Sequence, residues 1–107
     1  MNNNLLNMKT IKKYNFMGRV YWTKHCLNRL NQRNILTTEV KYAINNGEII
    51  EYYYNDYPYA SCLIIGFTPN NKKIHIVCGI NENILYMITA YYPDSEKWDE
   101  DMKIRRR

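Results

Sequence analysis

The sequence predicts an α+β fold in which two N-terminal helices pack on a four-stranded antiparallel sheet. Three observations support this fold class. Residues 22–46 show the apolar spacing of amphipathic helices. Residues 48–92 contain four runs rich in β-branched and aromatic residues. The gaps between these runs are short and rich in Asn, Asp and Pro, which favours an antiparallel meander with the helices on one face.

The composition is that of one globular domain. The chain has 107 residues, of which 46% are hydrophobic and 23% are charged. A chain of this size buries a modest core without needing disulfides or metals. Residues 1–21 are not assigned by their pattern, and residues 22–107 are expected to form a single α+β domain.

Two further features bear on location and redox state. The sequence has no apolar run of the roughly 18 residues that span a membrane. It also lacks an apolar signal-peptide core near its N-terminus, so we expect a cytoplasmic protein. Cys26, Cys62 and Cys78 lack metal-site spacing and are expected to be reduced and mostly buried.

The elements are expected in this order. The first helix covers about residues 22–33. The second covers about residues 38–46, with Thr37 as its N-cap and Gly47 just after its end. The four strands are predicted at residues 48–54, 60–67, 73–80 and 84–92.

Positive charge is concentrated in the first part of the chain. The formal net charge is +5. Residues 1–40 carry seven basic residues and one acidic residue, whereas residues 41–107 carry eight basic and nine acidic residues. A positive end on a basic protein favours a polyanionic partner such as nucleic acid. A solvated basic surface is the alternative.

His25, Arg29 and Arg33 form one line along the first predicted helix, because they are spaced four residues apart. Counted at about 100° per residue from Trp22, this line runs from about 300° to about 20°. The apolar side, from Trp22 to Leu27, lies between 0° and about 140°. Burying an unpaired guanidinium is costly, so the line either has polar partners or borders a cleft open to an anion. Long arginine side chains that extend past the core edge are a third explanation.

Two predicted strands add polar side chains that could face the same cleft. His75 lies between two isoleucines in a strand that is predicted to be central. In the last strand, Thr89 and Tyr91 share one face, and Ile88 and Ala90 take the other. A histidine in such a strand is more often packed or hydrogen-bonded than catalytic, and that alternative stays open.

Together these side chains suit cleavage of RNA by its own 2′-hydroxyl. This reaction needs a base, an acid and cations around the phosphate. A histidine titrates near neutral pH, so His25 and His75 are the candidate acid and base, with their roles not distinguished. The forks of Arg29 and Arg33 match phosphate oxygens. The reaction requires no metal or other cofactor, and the sequence has no obvious carboxylate cluster to hold one.

Tyrosines are the other abundant candidates. Tyr91 is a candidate third proton donor or a hydrogen-bond donor to the phosphate, with Thr89 in support. The eleven tyrosines also offer stacking surfaces for unpaired bases, and Tyr52–Tyr54 and Tyr91–Tyr92 are the densest groups. Sheet packing is the expected role of most of them.

These motifs resemble a bacterial family known as a domain of unknown function. The family pattern combines a His-x-x-x-Arg-x-x-x-Arg helix, a Glu-Val helix ending in Asn-Gly-Glu, a Leu-x-x-Gly strand, an Ile-His-Val-Val strand and a closing Ile-Thr-Ala-Tyr-x-Pro-Asp-x-x-x-Trp. The resemblance covers about residues 22–106. One departure is Cys78-Gly79 after the histidine strand. The matching positions are His25, Arg29, Arg33, Glu39, Val40, Asn46, Gly47, Glu48, Leu63, Gly66, His75, Thr89, Tyr91, Pro93, Asp94 and Trp98.

The resemblance implies a RelE/barnase-like sheet and the toxin of a type II toxin–antitoxin system that cleaves RNA. It also implies a cognate antitoxin, often a zinc-finger protein with a helix-turn-helix similar to MqsA. The acidic segment 94–101 and the tail Arg105–Arg107 are candidate contacts for that partner, or solvated termini. Two alternatives remain: a non-catalytic RNA- or ribosome-binding module, and a protein-interaction domain whose His/Arg network is structural.

Overall fold

The computed structural model describes residues 5–107 and has the predicted α+β class. Its helices are α1 (Met8–Met17), α2 (Lys24–Gln32) and α3 (Thr37–Asn45). Its strands are β1 (Val20–Trp22), β2 (Glu48–Tyr53), β3 (Ser61–Phe67), β4 (Lys73–Asn81) and β5 (Ile84–Tyr91).

The five strands form one mixed sheet in the order β1-β5-β4-β3-β2. Strand β1 runs parallel to β5, and the other neighbours are antiparallel. The prediction of two helices and a four-stranded antiparallel sheet is therefore wrong in detail, because α1 and β1 were not predicted. Strand β1 has only three residues, too few to show an alternating pattern. Strand β4 lies at the centre of the sheet, as predicted.

Helix α1 belongs to the packed structure. The side chain of Asn7 caps its first turn by accepting a hydrogen bond from the Thr10 N–H at 2.9 Å. Gly18 ends it in the left-handed region at φ 75°. Ile11 and Tyr14 are buried in the same core as the other two helices. Part of the segment that the sequence left unassigned therefore helps to build the core.

Helix α3 begins one residue earlier than predicted. Thr37 is its first residue rather than its N-cap, and Leu36 occupies the cap position. Leucine has no side-chain oxygen to cap the helix, and the Glu39 carboxylate accepts a hydrogen bond from the Leu36 N–H at 2.8 Å. The helix lies close to β3, since a Cβ added at Gly66 would lie 2.2 Å from the carbonyl oxygen of Ala43.

The core lies between the three helices and one face of the sheet. Alternate residues of the central strand, such as Ile74 and Ile76, point into it. Cys26, Cys62 and Cys78 are free and buried, which confirms that prediction. None of the helices within residues 5–107 has the length and apolarity needed to cross a membrane.

Candidate functional site

Helix α2 carries the basic line and is fixed to the sheet by two buried side chains. The Thr23 hydroxyl accepts a hydrogen bond from the Cys26 N–H at 3.0 Å and so caps the helix. Cys26 and Leu30 are buried, but Leu27 is 44% exposed. The buried face is thus narrower than the helical wheel indicated, and the basic line runs along its border.

Arg33 connects α2 to the last strand. Its Nη1 donates to the hydroxyl of Thr89 at 3.2 Å and to the carbonyl oxygen of Ala90 at 2.8 Å. Its Cζ lies 5.9 Å from the centre of the Tyr91 ring. The structure therefore brings three of the predicted site residues together: Arg33, Thr89 and Tyr91.

Strand β5 leaves room for this contact. Strand β1 pairs with β5 only at Leu85–Met87, so the rest of that edge of β5 is not paired with β1. A bulge at Ile88 also breaks the alternation of side chains. Ala90 belongs to the buried core, whereas Ile88 lines an open cavity beside His25. The prediction that Ile88 and Ala90 share a face is therefore wrong.

His25 and Arg29 lie on the exposed part of the basic line. The Nε–H of Arg29 donates to His25 Nε2 at 3.4 Å, a long hydrogen bond one helical turn apart. A ring nitrogen that accepts this bond carries no proton in that geometry. The terminal nitrogens of Arg29 have no partner among residues 5–107 and are free to bind an anion.

His75 is fully buried at the centre of the sheet. Its Nε2 lies 2.7 Å from the carbonyl oxygen of Met102. Because a carbonyl only accepts, Nε2 carries the proton, and Nδ1 accepts from the Tyr91 hydroxyl at 3.4 Å. Burial lowers the pKa of His75 below its usual 6.5, although the bond to Met102 opposes this shift. Within residues 5–107, no hydrogen bond or ring contact joins His75 to His25.

Tyr91 lies between Arg33 and His75 and is half-buried. Burial raises its pKa above the usual 10, and the Glu51 carboxylate adds to the rise. The guanidinium groups of Arg105 and Arg33 oppose it. The phenol is therefore protonated at neutral pH, and its one hydroxyl proton is directed at His75 Nδ1.

The C-terminal residues cover His75, and this covering contact was not predicted from the sequence. Trp98 is 3% exposed, and its ring packs edge-on against His75 with 4.5 Å between ring centres. The Arg105 guanidinium lies over the Trp98 ring, 4.6 Å from its centre, and pairs with Glu51 at 2.9 Å. The basic tail and the acidic segment are thus partly folded onto the sheet. A tryptophan in an otherwise acidic segment was the available signal.

The loop between β2 and β3 lies beside His25, at the N-terminal end of the basic line. A cavity of about 330 Å³ lies between this loop and the N-terminal end of α2. Its lining residues are Thr23, His25, Asp56, Tyr57, Pro58, Tyr59 and Ile88.

The described part of the chain contains no group of three or more His, Cys, Asp or Glu side chains arranged to hold a metal ion. The site therefore consists of cationic, phenolic and imidazole side chains: the exposed pair His25 and Arg29, and the connected set Arg33, Thr89, Tyr91 and His75.

No significant match was found among curated proteins or among solved structures. A family model described as a domain of unknown function, DUF4258, matches residues 22–92. This range contains all six predicted site residues but ends before Trp98. The matched range is more than half of the chain, and the protein belongs to the DUF4258 family.

Proposed function

We propose that this protein is the toxin of a type II toxin–antitoxin system, with a RelE/barnase-like sheet, and that it cleaves RNA as a metal-independent endoribonuclease. One observation carries the proposal. Arg33 joins α2 to Thr89 and Ala90, so the basic line is held beside the part of β5 that carries Tyr91. Cations, an imidazole and a phenol then border a single strip of surface.

The scissile phosphate binds at Arg29. This residue lies midway along the line, about 6 Å in helical rise from His25 on one side and from Arg33 on the other. Its terminal nitrogens have no hydrogen-bond partner within residues 5–107, whereas Arg33 is already bonded to a carbonyl oxygen and a hydroxyl. Arg29 therefore binds the phosphate directly, and Arg33 adds positive charge while it holds Tyr91 and Thr89 in position.

In this mechanism, His25 Nε2 removes the proton from the ribose 2′-hydroxyl. The 2′-oxygen attacks phosphorus, and the bond from phosphorus to the 5′-oxygen breaks. The Tyr91 hydroxyl turns its proton away from His75 Nδ1 and transfers it to the departing 5′-oxygen, and the nearby Arg33 and Arg105 stabilise the phenolate. The products are a 2′,3′-cyclic phosphate and a 5′-hydroxyl.

His75 has a positioning role in this proposal, rather than the direct acid–base role expected from sequence. Its ring is buried, and both nitrogens have protein partners. It reaches substrate only through Tyr91, whose hydroxyl it orients.

The test is cleavage of single-stranded RNA in the presence of EDTA. We expect His25→Ala to lower the rate by about 10²–10⁴-fold and Arg29→Gln by about 10²–10³-fold. Lys24→Gln is the matched control, because it removes one positive charge from the same helix on the solvent side. Wild-type rates in both His25→Ala and Arg29→Gln would overturn the site. Dependence on added metal would overturn the mechanism.

The burial of His75 favours a second candidate, a module that binds RNA without cleaving it. With one histidine inaccessible, His25 and Arg29 suffice to bind phosphate. RNA binding that Arg29→Gln weakens, without cleavage products from the wild-type protein, would support this candidate over the nuclease.

A toxin also needs an antitoxin that neutralises it. We expect expression of this chain in a bacterial host to arrest growth. Co-expression of a neighbouring reading frame for a small, Cys-rich helix-turn-helix protein should restore growth. Growth arrest that persists in His25→Ala would separate toxicity from cleavage.

A further inference from the structure

The cavity between α2 and the β2–β3 loop has no part in the chemistry described above. At about 330 Å³ it exceeds the volume of a single nucleobase. It adjoins His25, so a group bound there would lie next to the phosphate on Arg29.

One wall of the cavity is preformed. The ring of Tyr59 packs on Tyr86 with 5.1 Å between ring centres. It also lies against Gly79, where an added Cβ would be 2.7 Å from the Tyr59 ring and 2.6 Å from the Ala60 carbonyl oxygen. The glycine that departs from the family pattern therefore lets the loop lie close to the sheet.

Tyr57 also lines the cavity and is 94% exposed. A tyrosine that buries almost none of its ring adds little to the stability of the fold. An exposed ring at a cavity mouth is, however, a stacking surface for an unpaired base.

Asp56 gives the cavity a negative group beside the positive line. One of its carboxylate oxygens accepts a hydrogen bond from the buried hydroxyl of Ser61. A carboxylate repels phosphate, so the cavity does not suit a second backbone phosphate. The Asp56 carboxylate can, however, accept a hydrogen bond from the amino group of a base.

We propose that this cavity binds one unpaired nucleobase of the RNA strand whose phosphate lies at Arg29. The base stacks on Tyr57, lies against Tyr59 and donates its amino group to Asp56. This inference rests on the proposed function for the position of the strand, and it adds a binding site for one unpaired base of that strand.

The experiment measures fluorescence anisotropy with short single-stranded 2′-deoxy oligonucleotides, which bind but lack the reacting hydroxyl. We expect Tyr57→Ala to weaken binding about tenfold and Tyr57→Phe to leave it unchanged, because phenylalanine keeps the stacking surface. Phe16→Ala is the control, since Phe16 is a 90% exposed aromatic residue on α1.

An abasic nucleotide moved along the oligonucleotide identifies the bound base. At one position, removal of the base should weaken binding by the wild-type protein about tenfold. The same removal should not weaken binding by Tyr57→Ala any further. Equal affinity of Tyr57→Ala and wild type overturns the inference, and RNA cleavage that depends on His25 would then leave the nuclease proposal standing. Binding that depends on Tyr57 without any RNA cleavage supports the base site and overturns the nuclease. Absence of both binding and cleavage overturns both.

Discussion

Arg29 and Arg33 occupy equivalent places in the sequence pattern, yet the structure gives them different surroundings. Arg33 is half-buried and bonded to β5, whereas Arg29 is exposed and hydrogen-bonds to His25. The difference arises because the side of the helix near Arg33 faces the unpaired edge of β5. On the same helical line, Arg33 therefore holds α2 against β5, whereas Arg29 is placed to bind a ligand.

This difference predicts opposite effects of matched substitutions. Arg33→Met should lower the free energy of unfolding by about 1.5–3 kcal/mol, because hydrogen bonds from a charged donor are lost. Arg29→Met should change it by less than about 0.5 kcal/mol and should abolish tight RNA binding. Urea unfolding of both variants measures the free energy of unfolding. Equal stabilities would contradict the assignment of Arg33.

His75 predicts a pH dependence of stability. Burial lowers the pKa of His75 in the folded protein below the unfolded value of 6.5, so the folded state resists protonation. The contribution of neutral His75 to the free energy of unfolding is complete above about pH 6.5. It is lost as the pH falls towards the folded pKa, because the unfolded chain then binds one more proton than the folded protein.

Unfolding measured from pH 7.5 to pH 5.5 tests this expectation. The wild-type protein should lose stability across that range, and His75→Gln should lose less. His25→Gln is the control, because it removes an imidazole from an exposed position and leaves the buried His75 in place. An unchanged profile in His75→Gln would show that other groups cause the loss.

At the scale of elements, residues 94–107 form a C-terminal segment that packs on the sheet face without helices. The helices cover one face of the sheet, and residues 94–107 cover part of the other through Trp98. Burial raises the pKa of the Glu51 carboxyl, but hydrogen bonds from Arg105 and Tyr53 outweigh it, and the pKa lies below the usual 4.5. The segment is thus held by the buried Trp98 ring, by the hydrogen bond between His75 and Met102, and by the ion pairs Arg105–Glu51 and Lys103–Glu48.

Trp98→Ala should lower the free energy of unfolding by about 3–5 kcal/mol, because a buried indole leaves a cavity. The change should appear as a lower urea midpoint. Ile104→Ala is the control within the same segment, since Ile104 is 67% exposed and should cost less than about 0.5 kcal/mol. A Trp98→Ala variant as stable as wild type would mean that the segment does not cover His75 in solution.

At the scale of the whole molecule, the net charge of +5 is unevenly distributed along the chain. A general positive field and specific phosphate contacts both strengthen RNA binding. Only a contact that releases a counterion changes the slope of affinity against salt concentration.

Arg29→Gln should therefore reduce the slope of log K against log salt by about 0.7 for single-stranded RNA, the value for one phosphate contact. Lys97→Gln removes the same charge from the C-terminal segment and should leave the slope unchanged. The measurement is a salt titration of RNA affinity for the three proteins. Equal slopes in all of them would indicate that Arg29 does not contact phosphate.

Much of the fold follows from local pattern. The four predicted strands lie within one or two residues of β2–β5, and helices α2 and α3 lie where their apolar spacing indicated. The short strand β1 was missed because three residues carry too little pattern. The parallel pairing of β1 with β5 could not be predicted from local pattern either, because it joins residues such as Val20 and Leu85 that are far apart in sequence.

The sequence by itself determined the α+β class, the central histidine strand, the buried thiols and the line formed by His25, Arg29 and Arg33. Periodicity and turn residues act over a few positions, and these features need nothing more. Only the tertiary structure decided that Arg33 binds β5, that a bulge turns Ile88 towards the cavity, and that Trp98 covers His75. Those contacts join distant parts of the chain, and their geometry depends on how the whole sheet and its two covering layers pack.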